Sequence, residues 1–96
     1  MIIVRDVFQA KYGRGGELVE LMKEASKVLR ANVASHHILT DASGPFFTVV
    51  TETEVDSLAG WEKLAASIFS NPEFGKWFAQ MMPLVESGRR EFYNVE

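Results

Sequence analysis

Histidines 36 and 37 stand side by side, and they are the only two in a chain of 96 residues that contains no cysteine. Imidazoles ligate metals and carry protons near neutral pH. Neighbouring side chains on a strand point to opposite faces, so in regular geometry His36 and His37 cannot hold one ion. A strand metal site would use a spacing of two, and no metal is expected here. One of the pair remains available to face a cavity as a general base or hydrogen-bond donor. The commoner fate of a histidine is intermediate burial at a surface or interface.

Charged residues recur in two other places. Arg5-Asp6 and Arg90-Glu91 lie near the two ends of the chain, on segments with strand character. Cross-strand ion pairs are their ordinary role, at roughly 0.2–1 kcal/mol each. The sharper reading is an arginine that orients a carboxylate or enolate inside a cavity. Trp61, Phe69, Trp77, Phe78, Met81 and Met82 crowd aromatic and thioether groups into the second half. At helical spacing such residues are core, and some can also form the apolar wall of a small-molecule pocket. Tyr93 adds a polar handle. The pocket residues expected from the sequence are therefore Arg5, His36, His37, Trp61, Trp77 and Tyr93, with no catalytic role assigned to any.

Other chemistry is poorly supplied. Gly13-Arg14-Gly15-Gly16 occupies the place of a phosphate loop but lacks both the Lys-Ser/Thr of a P-loop and the dinucleotide spacing, so it reads as a turn. Gly44-Pro45-Phe46-Phe47 lacks the basic and Gly-Phe pattern of an RNA-recognition strand. There is no Gly-x-Ser-x-Gly elbow and no carboxylate pair at a defined separation. Without cysteine, thiol catalysis, thiolate metal sites and disulfides are excluded.

With 47% hydrophobic and 24% charged residues, the composition is that of a globular chain. A net charge of −3, with both signs mixed along the chain, draws neither nucleic acid nor an anionic membrane as partner. Arg5 and Asp6 interrupt the apolar start too early for a signal peptide, and no run approaches the roughly 20 apolar residues of a membrane span. The expectation is a soluble cytoplasmic protein with one domain over residues 1–96. A chain this short has a thin core, and a partner would help to stabilise it.

The elements that must position these residues follow from periodicity. Residues 2–10 read as a strand whose faces both mix apolar and charged groups. After the glycine turn, Leu18, Leu21, Met22, Ala25, Val28 and Leu29 recur at three-and-four spacing, predicting a helix over 16–31. Strands are predicted over 35–41 and 46–55, joined by the turn Ala42-Ser43-Gly44-Pro45. Asp56 or Ser57 is placed to cap a helix containing Trp61, Leu64 and Ile68. Asn71-Pro72 then ends it and starts another, because asparagine caps free N–H groups and proline suits the first helical position. Pro83 should kink or end that helix near Met82, with Gly88 as a helix stop and a last strand over 89–95.

Strand, helix, strand, strand, split helix, strand predicts an α+β ferredoxin-like βαββαβ domain with a four-stranded antiparallel sheet and helices on one face. The other face needs a cover that the chain does not supply. A second copy is the economical one, so a homodimer forming a dimeric α/β barrel is expected.

Three stretches carry a resemblance: Asn71-Pro72-Glu73-Phe74, Met82-Pro83-Leu84-Val85 and Ser87-Gly88-Arg89-Arg90-Glu91-Phe92-Tyr93. Together with the opening Phe8-Gln9-Ala10-Lys11, glycine turn and amphipathic helix, they resemble dimeric α/β-barrel proteins, especially NIPSNAP-like and antibiotic biosynthesis monooxygenase domains. The resemblance implies a ferredoxin-like protomer, a homodimer and a pocket between sheet and helices. It covers cofactor-independent oxygenases, haem-degrading enzymes, isomerases and proteins without an established reaction. The Asn, Trp and His constellation of the haem-degrading members is not matched, and no cofactor is expected. The function expected is binding of a small, largely apolar molecule between sheet and helices. The alternatives are a cofactor-independent monooxygenase acting on an aromatic or polyketide-like substrate, and a non-catalytic dimeric scaffold.

Overall fold

The computed structural model describes residues 1–96. Four strands, β1 (Ile2–Ala10), β2 (Ser35–Thr40), β3 (Thr48–Val55) and β4 (Val85–Asn94), are joined by three helices. These are α1 (Gly15–Leu29), between β1 and β2, and the pair α2 (Leu58–Phe69) and α3 (Pro72–Met81), between β3 and β4. The sheet order is β2-β3-β1-β4 and every pairing is antiparallel. This is the expected ferredoxin-like α+β arrangement, with the second helical segment split in two.

β1 lies in the middle and sets the faces. Val4, Asp6, Phe8 and Ala10 point to the side on which the helices lie, while Ile3, Arg5, Val7 and Gln9 point away. In β3, Val49, Thr51, Thr53 and Val55 share the inner face with them, and Val50, Glu52 and Glu54 the outer. Register places Asp6 opposite Arg90 and Arg5 opposite Glu91, so the two charge pairs fall on different faces.

The densest packing is at one end of the inner face. Leu18, Leu21 and Met22 of α1 close on Ala10, Val49 and Leu84. Leu18 is fully buried, at 0% exposure, which contributes about 1.5–3 kcal/mol relative to an exposed side chain. Gly15, the first residue of α1, packs against the Phe47 ring; a Cβ there would stand 3.0 Å from Phe47 Cδ1. By contrast α2 and α3 contain no fully buried residue. Trp77 ties α3 to α1 by donating its indole N–H to the Leu21 carbonyl at 2.8 Å.

Several boundaries differ from the sequence expectation. α1 ends at Leu29 and tightens into a 3-10 turn, Arg30–Asn32. β2 ends at Thr40 and β3 begins at Thr48, because Phe47 adopts φ +61°, a left-handed conformation that takes it out of the ladder. Gly88 is not a helix stop. The helix passes into a 3-10 turn at Met82–Leu84, in which Pro83 removes an N–H, and β4 starts directly at Val85. Gly88 lies inside β4 opposite Phe8, and a Cβ at that position would stand 3.1 Å from Phe8 Cδ1. Its role is close packing of a ring on the strand.

The break between α2 and α3 forms as the residue types require. Ser57 caps α2 by accepting from the Gly60 N–H at 3.0 Å. Asn71 Oδ1 accepts from the Glu73 N–H at 2.9 Å, with Pro72 as the first residue of α3. Replacing Asn71 with Ala should cost about 0.5–2 kcal/mol in urea unfolding, and Asn71→Ser should recover most of it. An Asn71→Ala variant as stable as wild type would show that the cap contributes nothing.

Candidate functional site

Because α2 and α3 stand off the sheet, a cavity of about 280 Å³ remains beneath them. Its floor is the inner face, with Asp6, Phe8, His36, Thr51, Thr53 and Arg90. The roof and walls include Trp61, Ile68 and Phe69 of α2, Phe74, Trp77 and Phe78 of α3, and Met22 and Leu29 of α1. Eleven of the 16 lining residues are hydrophobic. A larger groove of about 390 Å³ runs outside, between α1 and the α2–α3 pair, and shares Leu29, Ile68, Phe74 and Trp77 as a common wall. Glu24, Glu73, Lys76 and Gln80 give that groove a polar surface, so the inner cavity is the better match to a ligand site.

The six residues expected to form a pocket separate into two groups. His36, Trp61 and Trp77 line the cavity. Arg5, His37 and Tyr93 lie on the outer face, where their register partners are Glu52, Glu52 and Ile3. His36 and His37 thus point to opposite sides of the sheet. Arg5 is held by Glu52 at 2.6 Å, with Glu91 at 3.7 Å, well away from the aromatic wall.

The arginine that the cavity contains is Arg90. Its Nε donates to Asp6 Oδ1 at 2.6 Å and its Nη2 to Asp6 Oδ2 at 3.0 Å, a bidentate pair. The guanidinium carbon lies 4.8 Å from the centroid of the Trp61 ring, in cation–π contact. The hydrogen bond to Asp6 raises the Arg90 pKa above its ordinary range. Arg90 is therefore a fixed cation whose charge is already answered.

His36 is buried and fully engaged. Its Nε2 lies 2.7 Å from Ser26 Oγ and its Nδ1 2.9 Å from Thr53 Oγ1. The Ser26 hydroxyl gives its one hydrogen to the Met22 carbonyl at 2.7 Å. Nε2 must then carry the proton and donate to Ser26 Oγ, and Nδ1 accepts from Thr53. The lowered His36 pKa keeps the ring neutral at neutral pH, which leaves Nδ1 as the acceptor. Burial is the main cause that holds the His36 pKa below its ordinary value; the Arg30 and His37 charges add to this, and Asp6 opposes them.

Ser26, Thr51 and Thr53 belong to no motif that marks them in the sequence. The alternation Thr51-Glu52-Thr53-Glu54 was the available signal: it sends both threonines to one face and both glutamates to the other.

Neither a scan of protein-family models nor a sequence search of curated proteins gives a match. Solved structures do match in fold. A NIPSNAP domain protein from Burkholderia xenovorans superposes with a TM-score of 0.87 at 14% identity, covering 100% of this chain and 95% of the other. A NIPSNAP family protein from Agrobacterium tumefaciens gives 0.84 at 15% identity, with 97% and 90% coverage. SnoaB, a cofactor-independent oxygenase from Streptomyces nogalater, gives 0.75 at 9% identity, with 99% and 92% coverage. The chain thus has the fold shared by NIPSNAP-domain proteins and antibiotic biosynthesis monooxygenase-like proteins, as its C-terminal residues implied. No helix is long and apolar enough to cross a membrane.

The state of His36 makes stability depend on pH. A histidine whose folded pKa is depressed binds its proton more readily in the unfolded chain, where the ordinary value is 6.5. Its contribution is complete above that value and is lost as pH falls toward the folded one. Urea unfolding from about pH 7.5 to about pH 5 should show wild type losing more stability than His36→Gln, whose side chain does not titrate. Equal losses in the two proteins would place the pH dependence elsewhere.

Proposed function

We propose that residues 1–96 form one domain that works in the cytoplasm as a homodimer and binds a small, largely apolar molecule in the inner cavity. The cavity itself carries this reading. An aromatic and aliphatic lining around a few placed polar groups is the usual make-up of a small-molecule site. Its volume of about 280 Å³ sits at the lower end of such sites and fits a compact ring system. An open lumen also favours binding over a purely structural scaffold.

The dimer is supported by the sheet's outer face. Ile3, Val7, Leu39, Val50 and Tyr93 form an apolar band there, with no second layer over it. Leu39 is 40% and Tyr93 49% exposed, while Val7 and Val50 are already buried by the side chains around them. The band surrounds the Arg5–Glu52–Glu91 cluster, which a second sheet with the same charges paired internally can cover without isolating a charge. Light scattering at micromolar concentration should give about twice the 10.8 kDa chain mass, with a melting temperature that rises with concentration. A monomer with a concentration-independent melting temperature would refute the dimer.

A second reading, a cofactor-independent oxygenase on an aromatic substrate, is favoured by His36 and Arg90 standing beside Trp61 in one cavity and by the shared fold with SnoaB. Both His36 nitrogens are engaged, so a base role requires Thr53 to turn away from Nδ1 first. Titration with naphthalene should change the fluorescence of Trp61 and Trp77, the only two tryptophans, in a saturable way. No change at the solubility limit would count against the cavity as a binding site. Oxygen uptake with a dihydroxynaphthalene, lost in His36→Gln, would mark the enzyme.

A further inference from the structure

Five side chains bring polar groups to the cavity floor: Asp6, His36, Thr51, Thr53 and Arg90. Four are hydrogen-bonded within the protein, and the Arg90 N–H groups left over belong to a half-exposed side chain whose charge Asp6 balances. Asp6 and Arg90 hold each other through two hydrogen bonds. Both nitrogens of His36 have partners, and one of those partners is Thr53.

Thr51 is different. It is 7% exposed, yet its hydroxyl enters no hydrogen bond, while no sealed side-chain polar atom in the protein lacks a partner. Its Oγ1 must therefore meet open space, and the space beside it is the cavity. Register places Thr51 between Asp6 on β1 and Ile38 on β2, at the centre of the inner face. A buried hydroxyl left open in this way has capacity for one donor and for acceptance at its lone pairs.

We propose that Thr51 is the polar anchor of the cavity, hydrogen-bonding the single polar atom of a neutral, otherwise apolar ligand, and that the site discriminates against anions. This rests on the binding function proposed above and names the chemistry of its ligand. Discrimination follows from the charges. The only cation on the floor is answered by a carboxylate in bidentate geometry, and His36 is neutral with no free N–H. An anionic ligand would lose its hydration, gain no free cation and face the charge of Asp6. The indole N–H of Trp61 also lacks a partner, but that side chain is only half-buried, so it leaves Thr51 as the buried anchor.

The test compares naphthalene, 2-naphthol and 2-naphthoate on wild type, Thr51→Val and Thr51→Ser, read by tryptophan fluorescence and by amide and indole NMR shifts. Valine keeps the shape and removes the hydroxyl; serine keeps the hydroxyl. In wild type and Thr51→Ser, 2-naphthol should bind on the order of 3- to 10-fold tighter than naphthalene, the value of one neutral hydrogen bond. In Thr51→Val that advantage should vanish while naphthalene affinity holds, and 2-naphthoate should bind weakest to wild type. Contacts between naphthol protons and the Thr51 methyl, measured on wild type, give the same answer without any variant. A naphthol advantage that survives in Thr51→Val, or naphthoate binding as tightly as naphthol, would overturn the anchor. Naphthalene binding with no preference for naphthol would overturn it too and leave the cavity's binding role standing. If no probe moves Trp61, Trp77 or the inner-face amides, the binding role fails, and the anchor with it.

Discussion

Pairing of β1 on both of its edges is the constraint from which the rest of the molecule follows. A strand hydrogen-bonded to β3 on one side and β4 on the other cannot slip by one residue without sending every side chain to the wrong face. In the observed register Asp6 meets Arg90 under the helices and Arg5 meets Glu52 and Glu91 away from them. One acidic–basic neighbour pair on β1 thus supplies charge to two unrelated environments. Slipping the register would bury Arg5 among aromatic rings without an acidic partner, at a cost of several kcal/mol.

The inner face is covered unevenly, and the cavity results from that unevenness. α1 is amphipathic and drives Leu18, Leu21 and Met22 into the sheet. The α2–α3 segment is broken at Asn71-Pro72 and stopped at Pro83, so each piece is short and neither contains a buried residue. Trp77 is the brace that holds α3 in place through its bond to the Leu21 carbonyl. The buried polar network Ser26–His36–Thr53 sits where apolar packing would otherwise close the space, and each of its members is satisfied. Satisfaction of that network leaves the neighbouring Thr51 hydroxyl as the exception on the floor.

Two surfaces of different character emerge. The inner cavity combines aromatic walls with a neutralised ion pair and a neutral imidazole. The outer face combines an apolar band with paired surface charges and a histidine, His37, whose register partner is Glu52 where that of His36 is Thr53. The two histidines, adjacent in sequence, therefore belong to different physical problems.

The element order, the amphipathic α1, the split at Asn71-Pro72 and the terminator at Pro83 were all legible in the sequence. Each is a local event, settled by side-chain periodicity or by the N–H that proline lacks and the oxygen that asparagine offers. Opposite orientation of His36 and His37 was legible for the same reason, since strand alternation is a local property. What the sequence could not decide was which parity of each strand faces the helices. That depends on pairing between residues more than 40 positions apart, such as Arg5 with Glu52 and Asp6 with Arg90. Local reasoning therefore groups Arg5 and Tyr93 with Trp61 and Trp77 and gives no reason to single out Thr51 and Thr53. A glycine after a helical stretch has the local meaning of a helix stop, which is how the sequence presents Gly88. Only the arrival of Phe8 from the other end of the chain shows that its missing side chain makes room for a ring. Sequence alone determined the elements and the breaks between them; tertiary pairing decided which side chains share a face, because a face is defined only once strands distant in the chain are in register.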